Sequence, residues 1–379
     1  MKKAESIINK SINGKHFVLP FNQGIQDGMH GIQLNDMSLF LWEHMEECNN
    51  SEELAKLVQD NYDIDPEDLP ELKNSITSFI DQLYRSGFLM SNINIRIMQK
   101  GKMFSIGGLR VFISCENGLL HSAFDDFETV YSSDLDLHIQ VICGIPVPSR
   151  NGKVVVRSSE IFVMDCEDRY VVREMDPKDS LEFHIYKSGK NADIYSGKGT
   201  VDQEALFHSI RMIFLYTAMK HDLYAIHSVS LDDEGHAVLL SALSGTGKST
   251  HAEIWKRAFG TKTINGDLNL IGLKDGKAVA YGMPWCGTSG VYSSKTYPLK
   301  AVVLLKRGTT DEIQELTEDQ KIIMIQQRMI SPLWSEMDFL QSLDFSEKLV
   351  KKITVFRAYV TMNDTAAIMV KEYINDTDN

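Results

Sequence analysis

The chain of 379 residues lacks a long hydrophobic run and a cysteine framework. No apolar stretch approaches the roughly 18 residues that span a membrane, and the N-terminal Met-Lys-Lys-Ala-Glu-Ser is not followed by an apolar signal core. The five cysteines are odd in number and widely spaced, without a Cys-x-x-Cys pair, which argues against disulfides and structural zinc. These absences predict a cytoplasmic protein that has no membrane partner.

Basic residues are also too few to favour a nucleic-acid partner. Lys and Arg total 39 against 52 Asp and Glu, and the net charge of −13 repels phosphate backbones. The hydrophobic fraction of 43% and the charged fraction of 24% are ordinary for a globular protein. The length favours about two or three domains. We therefore expect a globular protein of more than one domain that does not bind nucleic acid.

The most informative segment spans residues 237–252 and reads Ala-Val-Leu-Leu-Ser-Ala-Leu-Ser-Gly-Thr-Gly-Lys-Ser-Thr-His-Ala. An apolar strand, a glycine loop and a helix from Ser249 to Phe259 predict a phosphate cradle, in which backbone N–H groups hold phosphate oxygens. Lys248 is expected to reach the β- and γ-phosphates of ATP, and Ser249 to bind Mg²⁺. Ala242 stands where the usual motif opens with glycine, and a small-residue turn is the alternative. The predicted nucleotide-binding residues are Ser244, Gly245, Thr246, Gly247, Lys248, Ser249 and Thr250.

Two residues near this loop are candidates for chemistry. Asp267 is expected at the end of the next strand, where a carboxylate would complete the Mg²⁺ site with Ser249; alternatively it is a turn residue after Asn-Gly. His227 lies one hairpin before the loop, and imidazole suits proton transfer near neutral pH, although a lone strand histidine is more often structural. The predicted catalytic residues are His227, Asp267 and Lys248.

A second loop leaves two interpretations open. Residues 284–290 read Pro-Trp-Cys-Gly-Thr-Ser-Gly and present hydroxyls at Thr288 and Ser289. The segment is either a substrate or nucleotide loop, or a turn that caps the core with Trp285 packed inside.

The first 90 residues predict a small winged-helix unit of two strands and three helices. This unit has 7 Lys and Arg against 15 Asp and Glu, so its surface disfavours DNA. Its strand edge is suited to an added peptide strand, or else to packing against a second copy of the chain, which leaves a homo-oligomer open. The predicted strands are Lys15–Phe21 and His30–Leu34. The first predicted helix has its N-cap at Asp36, the second has its N-cap at Asn50 or Ser51, and the third begins after Pro66.

The remaining residues, 91–379, are predicted to form one domain with a β-rich front. Alternating hydrophobic residues and turns at Asn117-Gly118 and Asn151-Gly152 predict short antiparallel strands over about residues 91–200. Asp202 is expected to cap a helix that runs to about Met219. The nucleotide-binding core then occupies about residues 201–379.

The N-terminal pattern resembles the PqqD-like fold, a recognition element of enzymes that modify ribosomally made peptides. The resemblance implies that the leader of a precursor peptide binds along the strand at residues 30–34 and the helix at residues 66–85. It is carried by helix faces and turns over most of residues 15–90. The matching segments are Leu34–Trp42, Ser51–Val58, Tyr62–Pro66 and Phe79–Leu89.

The C-terminal pattern resembles the HPr kinase family and its relatives in peptide-modification gene clusters, over roughly residues 104–375. In that family a histidine and two adjacent acids surround the γ-phosphate and the accepting serine hydroxyl, which matches His227 and Asp267. Here the acid pair is reduced to Gly266-Asp267, so the division of roles is left open. The family's later acidic signature is replaced by residues 281–290, which makes HPr itself an unexpected substrate.

The two resemblances together imply an α+β winged-helix-like domain followed by an α/β P-loop domain. They imply an ATP-dependent, Mg²⁺-requiring kinase that phosphorylates a hydroxyl, serine first, in a precursor peptide, in company with other peptide-modifying enzymes. The alternatives are a nucleotide-gated protein that presents the precursor to another enzyme, and a nucleotidyl transferase that acts on the same peptide.

Overall fold

The computed structural model describes residues 1–26, 29–90, 101–115, 118–143, 152–175, 181–196, 201–243 and 247–377. The architecture is mixed α/β, with a helical N-terminal region followed by a larger part that is rich in β-sheet. The buried hydrophobic residues form three clusters, one within residues 18–89 and two within residues 104–374. Among the described helices, none has both the length and the apolar character that a membrane span requires.

The N-terminal region combines two small sheets with helices. Strands β2, β3 and β4 form an antiparallel sheet in that order, and β1 pairs antiparallel with β5. Its strands are β1 (Lys2–Lys3), β2 (Ile7–Ile12), β3 (Lys15–Pro20), β4 (Ile32–Leu34) and β5 (Leu89–Met90). Its helices are α1 (Gln23–Gln26), α2 (Asp36–His44), α3 (Ser51–Asn61) and α4 (Leu69–Arg85).

Hydrogen-bonded caps decide where these helices begin and end. The Asn35 side chain accepts from the Ser38 N–H at 2.8 Å, and Ser38 Oγ accepts from the Asn35 N–H at 2.8 Å. The prediction that Asp36 is the cap was wrong, because this reciprocal pair forms one residue earlier. Asn50 caps α3, as predicted. After α4 the chain turns at Gly87, whose φ of 77° suits glycine.

Eight strands between residues 101 and 196 form one sheet in the order β6–β7–β8–β13–β12–β11–β10–β9. The prediction of antiparallel strands was wrong for β8, which pairs in parallel with both β7 and β13. Alternation of apolar residues indicates which face of a strand is buried but carries no information on its direction. The strands are β6 (Gly101–Ile106), β7 (Leu109–Ser114), β8 (Leu137–Cys143), β9 (Lys153–Arg157), β10 (Ile161–Asp165), β11 (Arg169–Glu174), β12 (Glu182–Tyr186) and β13 (Asn191–Ser196). Of the expected turn residues, Asn117 and Asn151 lie outside the described ranges.

A second eight-stranded sheet follows, in the order β15–β14–β17–β18–β19–β21–β20 with β16 beside β14. Strand β15 pairs antiparallel with β14 and in parallel with β19, so this part of the sheet closes on itself. Its strands are β14 (Tyr224–Asp233), β15 (His236–Ser241), β16 (Lys262–Asn265), β17 (Leu268–Lys274), β18 (Lys277–Tyr281), β19 (Thr296–Arg307), β20 (Glu312–Gln314) and β21 (Thr354–Val360). The helices of this part are α5 (Gln203–Lys220), α6 (Lys248–Phe259), α7 (Glu318–Gln326), α8 (Glu336–Val350) and α9 (Asp364–Thr377).

Helix α5 is buried around most of its circumference. Asp202 caps it, as predicted, by accepting from the Ala205 N–H at 2.9 Å. Its apolar side chains belong to the same hydrophobic cluster as residues of both eight-stranded sheets. Helices α6 and α9 pack together on a separate cluster with β15, β19 and β21. The strand that carries the predicted phosphate loop is therefore buried by helices from different parts of the chain.

An ion pair joins α5 to α8, and removing its cation tests how much the pair stabilises the fold. Lys220 Nζ lies 2.7 Å from Asp338 Oδ1, and the Asp338 side chain is only 2% exposed. Lys220→Met leaves a buried carboxylate without its cation, so we expect the free energy of unfolding to fall by about 3 kcal/mol. Denaturant titration measures this change. Lys351→Met, which removes an exposed pair with Glu347, is the control and should change stability little; equal effects of the two variants would contradict the prediction.

Candidate functional site

The candidate site forms where β14, α6 and the turn between β16 and β17 meet. His227 lies on β14, opposite Leu268 of β17 in antiparallel register. Both backbone polar groups of His227 are bonded, since its N–H donates to the Arg328 carbonyl at 3.1 Å and its carbonyl accepts from Ser241 Oγ at 2.8 Å. The position of this histidine is therefore set by strand pairing.

A hydrogen-bonded turn positions Asp267. The side-chain oxygen of buried Asn265 accepts from the backbone N–H groups of Asp267 and Leu268, at 3.0 and 3.1 Å. The Asn265 amide donates to the carbonyls of Met283 and Trp285, at 3.3 and 3.0 Å. The interpretation of Asp267 as a turn residue is thus correct, and the same turn brings its side chain to His227.

One imidazole nitrogen connects the three residues predicted to be catalytic. His227 Nε2 lies 3.0 Å from Lys248 Nζ and 3.0 Å from Asp267 Oδ1. It carries at most one proton, so it can donate to Asp267 or accept from Lys248 but not do both. The hydrogen bond from His227 lowers the pKa of the Asp267 carboxyl, and the charges of His227, Lys248 and Arg211 lower it further. Partial burial of the carboxyl has the opposite effect and raises the pKa. An ionised Asp267 favours the state in which Nε2 donates to it.

The N-terminus of α6 contains part of the predicted phosphate-binding segment. Gly247 precedes the helix with a φ of 103°, and a Cβ there would lie 3.1 Å from Met362 Cε. Ser249 and Thr250 are exposed in the first helical turn, where backbone N–H groups point out of the helix and the helix dipole favours anions. The other residues predicted to bind nucleotide lie outside the described residues: Ser244, Gly245 and Thr246.

Two arginines that the sequence analysis missed act on this site. Arg211 of α5 contributes to the low pKa of Asp267, and Arg328 lies close enough to lower the pKa of Lys248. Partial burial is the larger cause of the lowered Lys248 pKa, and the charge of Asp267 acts in the opposite direction. Within the part of the chain that the structure describes, the buried Nε of Arg328 has no hydrogen-bond partner. A signal for Arg211 was present in the sequence, since it is the one charged residue of the apolar run Ile210–Leu215.

The loop at residues 284–290 caps the core, and several of its residues also line a cavity. Trp285 is 2% exposed, and its Nε1–H donates to the Phe207 carbonyl at 3.0 Å, as expected of a core-capping turn. Cys286, Gly287 and Thr288 instead line a cavity of about 560 Å³. This cavity adjoins the catalytic cluster, because a Cβ on Gly287 would lie 2.9 Å from the side chain of Asp267.

Comparison with known proteins identifies the N-terminal region. Residues 26–89 match the family model of the coenzyme PQQ synthesis protein D, PqqD, so the chain carries a PqqD domain there and that resemblance is confirmed. No curated protein matches the chain.

Solved structures of two kinds are among those similar to the chain. TbiB1 in complex with the TbiA(β) leader peptide is 18% identical, with a TM-score of 0.20, over 25% of this chain and 100% of that chain. The HPr(Ser) kinase/phosphatase from Coxiella burnetii is 8% identical, with a TM-score of 0.24, over 41% of this chain and 99% of that chain.

The lowered pKa of Asp267 predicts how its contribution to stability depends on pH. Because the folded pKa lies below the unfolded value of about 3.9, the stabilisation is fully present above that value and is lost as pH falls through the folded pKa. We expect Asp267→Asn to melt below the wild type at pH 7, and the gap to close as the pH falls below the unfolded value. Thermal melts across this range measure it, with Asp60→Asn at an exposed position of α3 as the control. A gap that does not change with pH would contradict the prediction.

Proposed function

We propose that the chain is an ATP-dependent kinase that binds the leader of a ribosomally made precursor peptide and phosphorylates a hydroxyl, serine first, in that peptide. One observation carries the proposal: Lys248 and Asp267 both contact Nε2 of His227 beside the N-terminus of α6. A phosphate cradle, a cation, a carboxylate and an imidazole are the groups that phosphoryl transfer to an alcohol requires. The PqqD domain at residues 26–89 supports a peptide as the substrate.

ATP would be held at the start of α6. Backbone N–H groups of the first helical turn and Lys248 would contact its phosphates, and Gly247 lets the backbone approach them closely. Ser249 and Asp267 would hold Mg²⁺, which neutralises phosphate charge when bound. Their oxygens are the hard ligands that this ion prefers, and Oδ2 of Asp267 has no hydrogen-bond partner within the described residues, so the residues fit the ion.

His227 is the group best suited to take the proton. In the proposed step the serine oxygen forms a bond to the γ-phosphorus, the bond from that phosphorus to the ADP oxygen breaks, and Nε2 of His227 receives the hydroxyl proton. Asp267 is a poorer base because its pKa lies below the usual range. For Nε2 to accept a proton, the imidazole has to hold its own proton on Nδ1 instead of donating one from Nε2 to Asp267. Lys248 also has to leave its contact with Nε2 and turn to the phosphates, where its charge stabilises the transferring group.

The PqqD domain would bind the leader as an added strand. Strand β4 is at an edge of its sheet, because it pairs with β3 on one side only in the described chain. Ile32 on this strand and Leu72 and Phe79 on α4 are partly buried and pack against the same core cluster. Main-chain pairing would supply affinity, and these apolar side chains would supply selectivity. A winged-helix arrangement of this domain, like the boundary at residue 90, is part of the proposal.

Removal of the imidazole tests the proton transfer. We expect His227→Ala to slow phosphate transfer by about 10²–10⁴-fold, because a general base is lost, and to leave ATP affinity nearly unchanged. Asp267→Asn should weaken Mg²⁺-dependent ATP binding as well as transfer. Mass spectrometry of the precursor follows transfer, and calorimetry follows ATP binding. His236→Ala, on an exposed histidine of the same hairpin, is the matched control.

Three results would contradict this assignment. Unchanged transfer in His227→Ala would make the histidine structural. A product heavier by AMP would indicate a nucleotidyl transferase. ATP binding without any mass change in the peptide would favour a nucleotide-gated presenting protein.

Leader binding makes a separate prediction about the full chain. A tethered leader raises the local concentration of the accepting segment, so the precursor should have a KM about 100-fold or more below that of the same peptide without its leader, at similar kcat. Steady-state kinetics on both peptides measure this ratio, with a scrambled leader as the control. Free leader should compete with the precursor. Equal KM values would remove the leader from the proposal and leave the domain as a packing module.

A further inference from the structure

The cavity beside Asp267 has an aromatic wall. Trp285 lies in its floor with its ring centroid 5.7 Å from that of Phe207, and both side chains are buried. The hydrogen bond from Trp285 to the Phe207 carbonyl fixes the two rings relative to one another. Tyr292 lines the cavity too and stacks on Phe127, with ring centroids 6.2 Å apart. Such a rigid wall suits an apolar or aromatic side chain.

Basic side chains line the cavity as well. They are His121, His208 and Arg211, with Glu204 as the one carboxylate among the lining residues. Glu204 Oε1 lies 3.4 Å from His121 Nε2, so this carboxylate already has a partner. Burial and the charge of Arg211 lower the pKa of His208, which favours its neutral form and makes Arg211 the permanent cation beside it.

Arg211 lines this cavity without a bonded partner. Within the described residues its guanidinium makes no hydrogen bond or ion pair, and the charges of Asp267 and Glu174 favour its cationic form against partial burial. Of these two carboxylates, Asp267 already contacts His227 and Glu174 accepts from Ser209 Oγ at 3.0 Å. A buried guanidinium is stabilised best by a carboxylate that accepts two of its N–H groups.

We propose that this cavity binds the accepting segment of the peptide, with an apolar side chain on the wall of Phe207 and Trp285 and a peptide carboxylate at Arg211. The inference rests on the proposed function, because it places the segment that carries the accepting hydroxyl. Gly287 joins the cavity to Asp267 without a side chain between them, so a residue held in the cavity leaves its neighbour close to His227.

Short synthetic peptides test the inference on the full chain. The probes are seven-residue peptides with one serine, one phenylalanine and one aspartate among glycines and alanines. Each peptide is compared with a version in which asparagine replaces the aspartate, and every version is made with a free and with an amidated C-terminus. The comparison shows whether the bound carboxylate belongs to an acidic side chain or to the chain terminus. Loss of the preferred carboxylate should raise the peptide KM by about 10–100-fold, the value of a charge-assisted hydrogen bond.

Substitution of Arg211 should abolish that preference. Arg211→Gln is expected to raise the KM of the carboxylate peptide by a similar factor and to leave the KM of the asparagine peptide and of ATP unchanged, while Arg211→Lys retains part of the preference. Arg110→Gln, which removes a surface cation paired with Asp134, is the matched control. Thr288→Trp fills the cavity from an exposed position and should raise the KM of both peptides, which keeps a test available where Arg211→Gln does not fold.

The outcomes separate this inference from the proposed function. A raised KM for ATP with an unchanged peptide KM in Arg211→Gln would assign the arginine to the phosphates and overturn the inference. Peptide turnover that depends on neither the peptide carboxylate nor Arg211 would also overturn the inference. Fluorescence anisotropy with labelled peptides measures binding without ATP. Carboxylate-dependent binding without any phosphate transfer would support the cavity while refuting the kinase.

Discussion

The buried amide of Asn265 is the interaction on which the candidate site depends. Its oxygen accepts from the turn that presents Asp267, and its nitrogen donates to the loop that contains Trp285. Its backbone N–H donates to Ser230 Oγ at 3.0 Å, which ties the turn to the strand of His227. A buried amide that meets all of its partners is rigid, and each partner lost would leave an unpaired polar group in the core. Asn265 therefore holds Asp267, the strand of His227 and the Trp285 loop in fixed positions relative to one another.

The contact of Lys248 and Asp267 with a single nitrogen gives the site two electrostatic states. When Nε2 of His227 carries a proton, it bonds to Asp267 and gains nothing from Lys248. When Nε2 carries no proton, it accepts from Lys248, and in the proposed kinase an anion beside Lys248 would draw the ammonium away and leave this nitrogen to a hydroxyl. The proposed phosphate binding and the proposed proton transfer would thus be linked through Lys248.

Local signals in the sequence were sufficient for the elements around the site but not for their pairing. The apolar run before the glycine loop, the hairpin of His227 and the helix capped by Asp202 were predicted because each pattern is contained in a few residues. The parallel pairing of β8 and the cap at Asn35 were missed, since the first depends on distant strands and the second on a side-chain geometry that Asp36 offers equally well. Strand β2 was missed as well, because only two strands were predicted in the first 90 residues.

Arg211 shows why the cavity could not be predicted while its neighbours could. A charged residue in an apolar helix is visible in the sequence, but its meaning depends on what packs around it. Helix α5 shares its hydrophobic cluster with residues of both eight-stranded sheets. The guanidinium lines the cavity together with the Trp285 loop, and the charge of Asp267 acts on it. A guanidinium that lines this cavity is costly to bury without a partner. The presence of Arg211 there therefore favours a ligand that comes from outside the chain.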